Sequence, residues 1–267
     1  VAATDTNAII LGAATVSGTY NITAGGNITN SGRLDIEGAS TFTVANGQDI
    51  ILDQSSNSFA TTVTMKAGNG SNATFGNITL HDNSAVRFNS SAASPGDLYI
   101  FSSGAVGGNL SVTAAGHITQ NVVLDVTGTT TLAAGSSNIT LDNASNNFGT
   151  LGVTGATVSV RDEDAIVLGA STVTNYTVTA GGAVTNNGAL VISGTATISA
   201  SGQNVTLDES SNNFGTLVVT GANVAATDTN AIILGAATVS GTYGITAGGA
   251  VTDSGTQEIT GVTTISA

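Results

Sequence analysis

Pairs of oxygen-bearing side chains two residues apart recur three times in this chain: Asp5 with Asn7, Asp162 with Asp164, and Asp228 with Asn230. In an extended strand residues i and i+2 point the same way, so each pair could offer two ligands to calcium, a hard cation that takes oxygen. The segments lack both the glycine-rich nonapeptide of calcium-binding β-rolls and the twelve-residue EF-hand pattern. Asx turns, in which a side-chain oxygen caps the backbone two residues on, are the favoured reading, and calcium is the one cofactor for which the pattern offers a place. A second carboxylate series, Asp53, Asp142 and Asp208, follows Leu in each well-preserved repeat. Glycoside cleavage needs two carboxyl groups within about 5 to 9.5 Å, a separation that copies several coils apart do not meet, so these residues are expected to cap turns. His81 beside Asp82, and His117, are the only histidines. No strand-turn-helix elbow presents a serine to either, and no catalytic residue is assigned. Asn21, Asn27, Asn72, Asn77, Asn109, Asn138, Asn175 and Asn204 are among the asparagines in N-x-S/T sequons, a weak signal in a chain so rich in Asn and Thr.

The elements that must position these groups are legible from repetition. "SNNFGTL" stands at residues 145 to 151 and again at 211 to 217, with a looser "SNSFATTV" at 56 to 63. Phe148 and Phe214 stand 66 apart in the chain (214 − 148), as do Leu168 and Leu234, and Asp142 and Asp208. A second marker, "TYNITAGGNITNSG" at 19 to 32, returns at 109 to 121, 175 to 188 and 242 to 255. Its threonines Thr23, Thr113, Thr179 and Thr246 are separated by 90, 66 and 67, so the first interval carries one extra unit of 23 or 24. A coil of about 22 residues makes 66 three coils and the long interval four, which is the arithmetic of a solenoid. Apolar residues alternate within each unit, as at Leu190 and Ile192 or Val205 and Leu207, giving strand period with one side buried.

Such short strands bury an apolar face only by stacking on their equivalents in the next coil. The expected fold is all-β: a parallel β-helix, or β-solenoid, of roughly twelve coils of about 22 residues, forming one continuous segment over residues 1–267, with a divergent or inserted coil at about 66–108. Identical residues then stack in ladders, and Phe59, Phe148 and Phe214 are expected to plug one corner, with Gly149 and Gly215 supplying the turn. The inserted region holds the only proline, Pro95, and clusters Tyr99 with Phe101, which makes it the first place to look for a contact loop.

Composition narrows function. Aromatics are 4% and charged residues 8% of the 267, low for an enzyme core, and the absence of Trp leaves few platforms for stacking sugar rings. The net charge of −13, with no Lys/Arg cluster, removes nucleic acid and anionic lipid surfaces as partners. Cysteine is absent, which excludes disulfides and thiol chemistry and leaves the redox compartment open. No apolar run approaches the ~20 residues that span a bilayer, and Val1 begins within a repeat, as expected of the interior of a longer chain. Residues 1 to 32 and 224 to 255 differ at only four positions, Asn21/Gly244, Asn27/Ala250, Ile28/Val251 and Asn30/Asp253. Duplication of this kind extends a scaffold without any unique site.

The "ITAGGxITNSG" and "ITLDxxxNxFGTLxVTG" patterns resemble the repeat region of filamentous-haemagglutinin-like exoproteins, the large adhesins exported by two-partner secretion from Gram-negative bacteria. The resemblance covers essentially the whole chain. It implies a right-handed parallel β-helix at the cell surface or in the biofilm matrix, acting in adhesion or aggregation, with the sequons as the positions open to glycosylation. The expected function is a non-enzymatic structural segment, with partners among neighbouring coils of the parent chain, surface receptors, glycans or further copies of itself. The alternative is a carbohydrate-binding or carbohydrate-active β-helix, which predicts a non-repeated cluster of Asp, Arg, Lys or aromatics; none is evident. Ice binding by Thr-x-Thr ladders ranks last, because Thr177 with Thr179, Thr195 with Thr197, and Thr227 with Thr229 fit locally but are not expected to keep their register from coil to coil.

Overall fold

A computed structural model of the chain describes residues 1–67, 75–89, 97–101 and 105–267. Among these residues every regular element is a β-strand, and every strand pairing is parallel, so the chain is a β-solenoid of about twelve coils. It divides into two compact units, Val1–Thr140 and Leu141–Ala267.

In the first unit the chain returns to the same column in steps of 19, 20 and 23: Ala2 lies beside Asn21, Asn21 beside Thr41, and Thr41 beside Thr64. The step then lengthens to 28 between Ile50 and Ile78 and to 32 between Ile78 and Leu110, in the stretch where a divergent or inserted coil is expected at about 66–108. Within it the strand Asp97–Phe101 pairs with Val63–Lys66, so the backbone of this stretch is part of the sheet and not a projecting loop. The inner face of the regular strands is mostly apolar and buried positions alternate with less buried ones, as in Tyr20–Ala24 and Leu110–Ala114. Tyr20, Phe42 and Phe59 stack edge to face, with ring centroids 6.1 and 6.2 Å apart. Each such pair adds about 1 kcal/mol to the burial of its rings.

In the second unit the steps range from 17 to 22, shorter and less even than a uniform 22. Val158, Tyr176, Ala196, Leu217 and Leu234 form one buried column, and Val160, Val178, Ile198, Val219 and Ala237 the next. Each fully buried Val, Leu or Ile contributes roughly 1.5 to 3 kcal/mol, and the columns make that contribution repeat at every coil.

Two glycine sets fix the corners. Gly47, Gly135 and Gly202 take φ of 75°, 55° and 74° in tight turns closed by Gln48 N–H to Ala45, Ser137 N–H to Ala134 and Gln203 N–H to Ala200. The first glycine of the "TAGG" marker answers a different need. A Cβ on Gly25, Gly181 or Gly248 would collide with the carbonyl oxygen of Thr6, Glu163 or Thr229 in the preceding coil.

Candidate functional site: the polar corners

The repeated "SN(N/S)F" stretch forms a buried polar corner. Its first asparagine, Asn57, Asn146 or Asn212, is fully buried. The Oδ1 of Asn212 accepts from the Leu190 backbone N–H at 2.9 Å and from Nδ2 of Asn186 at 2.9 Å, while its own Nδ2 donates to the Leu207 carbonyl at 3.1 Å. Asn57 repeats the arrangement with Leu34, Asn30 and Leu52. Asn146 donates to the carbonyls of Leu141 and Arg161. These side chains finish the backbone hydrogen bonding where the ladder breaks at a corner, since buried N–H and C=O groups must find partners.

Two residues on, the backbone N–H of the phenylalanine is met by a buried carboxylate. Phe148 donates to Asp162 at 2.9 Å, Phe214 to Asp228 at 2.6 Å and Phe59 to Asp82 at 3.3 Å. The second oxygen of the same carboxylate closes an Asx turn, accepting from Asp164 N–H at 3.1 Å and from Asn230 N–H at 2.8 Å. Asp82 takes the Ser84 hydroxyl instead, at 3.1 Å. Asp5, exposed in the first coil, keeps the turn alone, with Asn7 N–H at 2.8 Å. The calcium candidates Asp5, Asn7, Asp162, Asp164, Asp228 and Asn230 are therefore arranged as Asx turns, with the buried oxygens aimed at backbone N–H groups. Among the described residues no group of three or more His, Cys, Asp or Glu converges as a metal site. Burial pushes the Asp162 carboxyl up to about 6, opposed by its two backbone hydrogen bonds and reinforced by neighbouring Asp164. Burial also raises Asp82, opposed by its hydrogen bonds from Phe59 and Ser84.

Asp53, Asp142 and Asp208 are exposed at the turns beside this corner. His81 sits between buried Leu80 and Asp82 on a strand whose side chains alternate, so it points away from its acidic neighbour. His117 accepts the Asn138 backbone N–H on Nδ1 at 3.0 Å. The side chains of Tyr99 and Phe101 lie outside the described residues, as do Pro95 and Asn72.

Within the second unit Phe148 and Phe214 do not share one corner, and here the expectation is corrected. Phe214 lies in register with Ile192, Ile192 with Val173 and Val173 with Gly155, so its column crosses the strand Asn147–Asp162 well past Phe148. Phe59 likewise stacks on an aliphatic residue, Ile36. The reason is the coil length. From Thr150 the column runs through Val167 and Thr185 to Thr206, three coils that take up 56 of the 66 in the repeat, and the remaining ten carry the chain about half a coil further round. Thr216, the counterpart of Thr150, accordingly lies between Thr195 and Ile233. Each repeat rebuilds the same local corner at a new position on the coil.

Five of the sequon asparagines, Asn27, Asn77, Asn109, Asn175 and Asn204, have a structural account. Asn27 Oδ1 accepts the Asp49 N–H at 2.9 Å, Asp49 accepts the Asn77 N–H at 2.6 Å, Asn77 the Asn109 N–H at 2.9 Å, and Asn109 the Thr129 N–H at 2.8 Å. In the second unit Asn175 does the same for Thr195, Asn204 for Asn223, and Asn223 for Thr242. The pattern N-x-T reads as a corner asparagine, an inward apolar residue and an outward threonine at the start of a strand. Sequence reasoning missed the buried asparagines and the role of Asp82; the repetition of the first Asn in "SNNF" was the available signal.

Fold and corners together define a β-solenoid repeat protein in which motif residues link one coil to the next. Residues 1–66, 96–154, 155–221 and 221–267 match the model of the DUF5649 family, described as repeats of unknown function, and the chain belongs to that family. No curated protein and no solved structure matches it. No helix among the described residues is long and apolar enough to cross a membrane.

Proposed function

We propose that this chain is a non-enzymatic structural segment of a bacterial surface adhesin or extracellular matrix filament, a spacer that serves adhesion, aggregation or biofilm formation. The observation that carries the reading is the use to which the chemically capable residues are put. The buried Asn and Asp of the repeats are aimed at backbone N–H and C=O groups of neighbouring coils, where they hold the solenoid together. Rebuilding one corner in each repeat suits a part whose property is length, because stability in a solenoid is a sum over coils and their interfaces. The resemblance of the repeats to filamentous-haemagglutinin-like exoproteins supports the same assignment.

Immunogold electron microscopy of intact producing cells, with antibody against residues 141–267, tests the reading. Label on the outer surface or in the intercellular matrix, together with weaker cell aggregation when residues 155–221 are deleted from the parent protein, is the expected result. Label confined to the cell interior contradicts it.

A further inference from the structure

We propose that the outward face built in the second unit by the strands Ser171–Ala180, Leu190–Ser199 and Asn213–Gly221 binds ice, through hydroxyl columns that the sequence alone does not reveal. Thr177 lies in register with Thr197, and Thr197 with Val218; one position outward, Thr179 lies beside Ser199, Ser199 beside Thr220, and Thr220 beside Thr238. The register is unbroken from Tyr176 to Thr179 and from Thr195 to Ser199, although the coil steps differ in length. The three Thr-x-Thr pairs read from the sequence do not stack on one another: Thr177 and Thr179 meet Thr197 and Ser199, whereas Thr195 meets Thr216 and Thr227 meets Thr246, so the columns join one such pair to hydroxyl residues that are not themselves a Thr-x-Thr pair.

Three observations point to the occupant. These side chains are exposed or half-buried, and none of the hydroxyls of Thr177, Thr179, Thr197, Ser199, Thr220 and Thr238 is engaged by a protein hydrogen bond, whereas the corner Asn and Asp are engaged in nearly every coil. The columns hold no acidic residue between their borders at Arg161 and Glu258, in a chain of net charge −13. An uncharged face gives a polyanion or polycation nothing to pair with, so charge selects a neutral occupant. The spacing then selects an ordered one. Successive coils repeat at about 4.8 Å and alternate residues of a strand at about 6.6 Å, both near lattice repeats of hexagonal ice. Threonine is stiff at χ1, and its hydroxyl both donates and accepts, as lattice water does.

The test is thermal hysteresis and ice-crystal shape with the whole chain, beside Thr197→Tyr on the face and Thr185→Tyr on a different column. Faceted crystals and a hysteresis gap for the native chain and for Thr185→Tyr, lost in Thr197→Tyr with an unchanged thermal melt, are the expected results. Rounded crystals without a gap for the native chain overturn the proposal even if a variant fails to fold. So does a native chain that sediments as a dimer, dissociates on Thr197→Tyr and leaves ice unaffected, which would assign the face to self-association.

Discussion

Replacing Asn212 by alanine removes the most fully used side chain of the second unit. The change deletes the acceptor of the Leu190 N–H and the donor to the Leu207 carbonyl, both on buried residues, and frees Nδ2 of Asn186, which retains its bond to Gly188. A buried polar group left without a partner costs about 1 to 3 kcal/mol, so two orphaned backbone groups and one lost side-chain bond predict a loss of about 3 to 5 kcal/mol. The assay is native-state hydrogen exchange, because a solenoid opens locally and a single unfolding energy averages over its coils. Protection at Leu190 should fall by at least a hundredfold, about 2.7 kcal/mol, while residues near Ala2–Asp5 keep theirs. The matching control is Asp208→Ala, close by in the chain but exposed, which should stay within about 0.5 kcal/mol of the native chain. If Asn212→Ala and Asp208→Ala have equal small effects, the buried asparagine is not a structural link and the reasoning about the corner fails.

Further expectations follow from single contacts. Gly181→Ala should cost about 2 kcal/mol or more, read by urea unfolding, because its methyl group meets the Glu163 carbonyl of the preceding coil; a neutral effect would mean that the coils separate freely there. Tyr243→Phe should be neutral or up to about 1 kcal/mol stabilising, since the buried hydroxyl has no partner and burial pushes it up to about 12. Burial raises the Asp162 carboxyl from 3.8 to about 6, so the folded chain keeps a proton that the unfolded chain releases. This group's contribution to stability therefore falls as pH rises from about 4 to about 6 and is greatest below that window. Unfolding at several pH values should show that slope in the native chain and its loss in Asp162→Asn; identical slopes would contradict the assignment.

The fold was legible because its signals are local and repeated. Alternation at Leu190 and Ile192, turn residues between short strands, and the regular return of "SNNFGTL" together leave a parallel solenoid as the economical solution. The phase of the repeat was not legible. Nothing local to "SNNFGTL" states that Thr150 meets Val167 in the next coil while Val191 meets Asn213, steps of 17 and 22, so dividing 66 by three gave equal coils and a false phenylalanine ladder. The same gap concealed the threonine columns. The buried asparagines were hidden for another reason: Asn beside Ser and Asp reads as a solvated turn, and only stacking of the next coil removes the water. Asx turns at Asp162 and Asp228 were legible because their partner is two residues away, whereas their second contact, to Phe148 and Phe214, lies across a corner and far back in the chain.

Disulfide trapping tests the register, and with it the claim that motif residues act as links between coils, most directly, since the chain has no cysteine of its own. Parallel neighbours in register place Cα atoms about 4.8 Å apart, within disulfide range. The account predicts that Thr150→Cys combined with Val167→Cys cross-links on mild oxidation, and that Thr150→Cys combined with Thr172→Cys, the pair that uniform coils would align, does not. Cross-linking of the second pair and not the first would contradict the register on which the corners, the shifted repeat and the threonine face all depend.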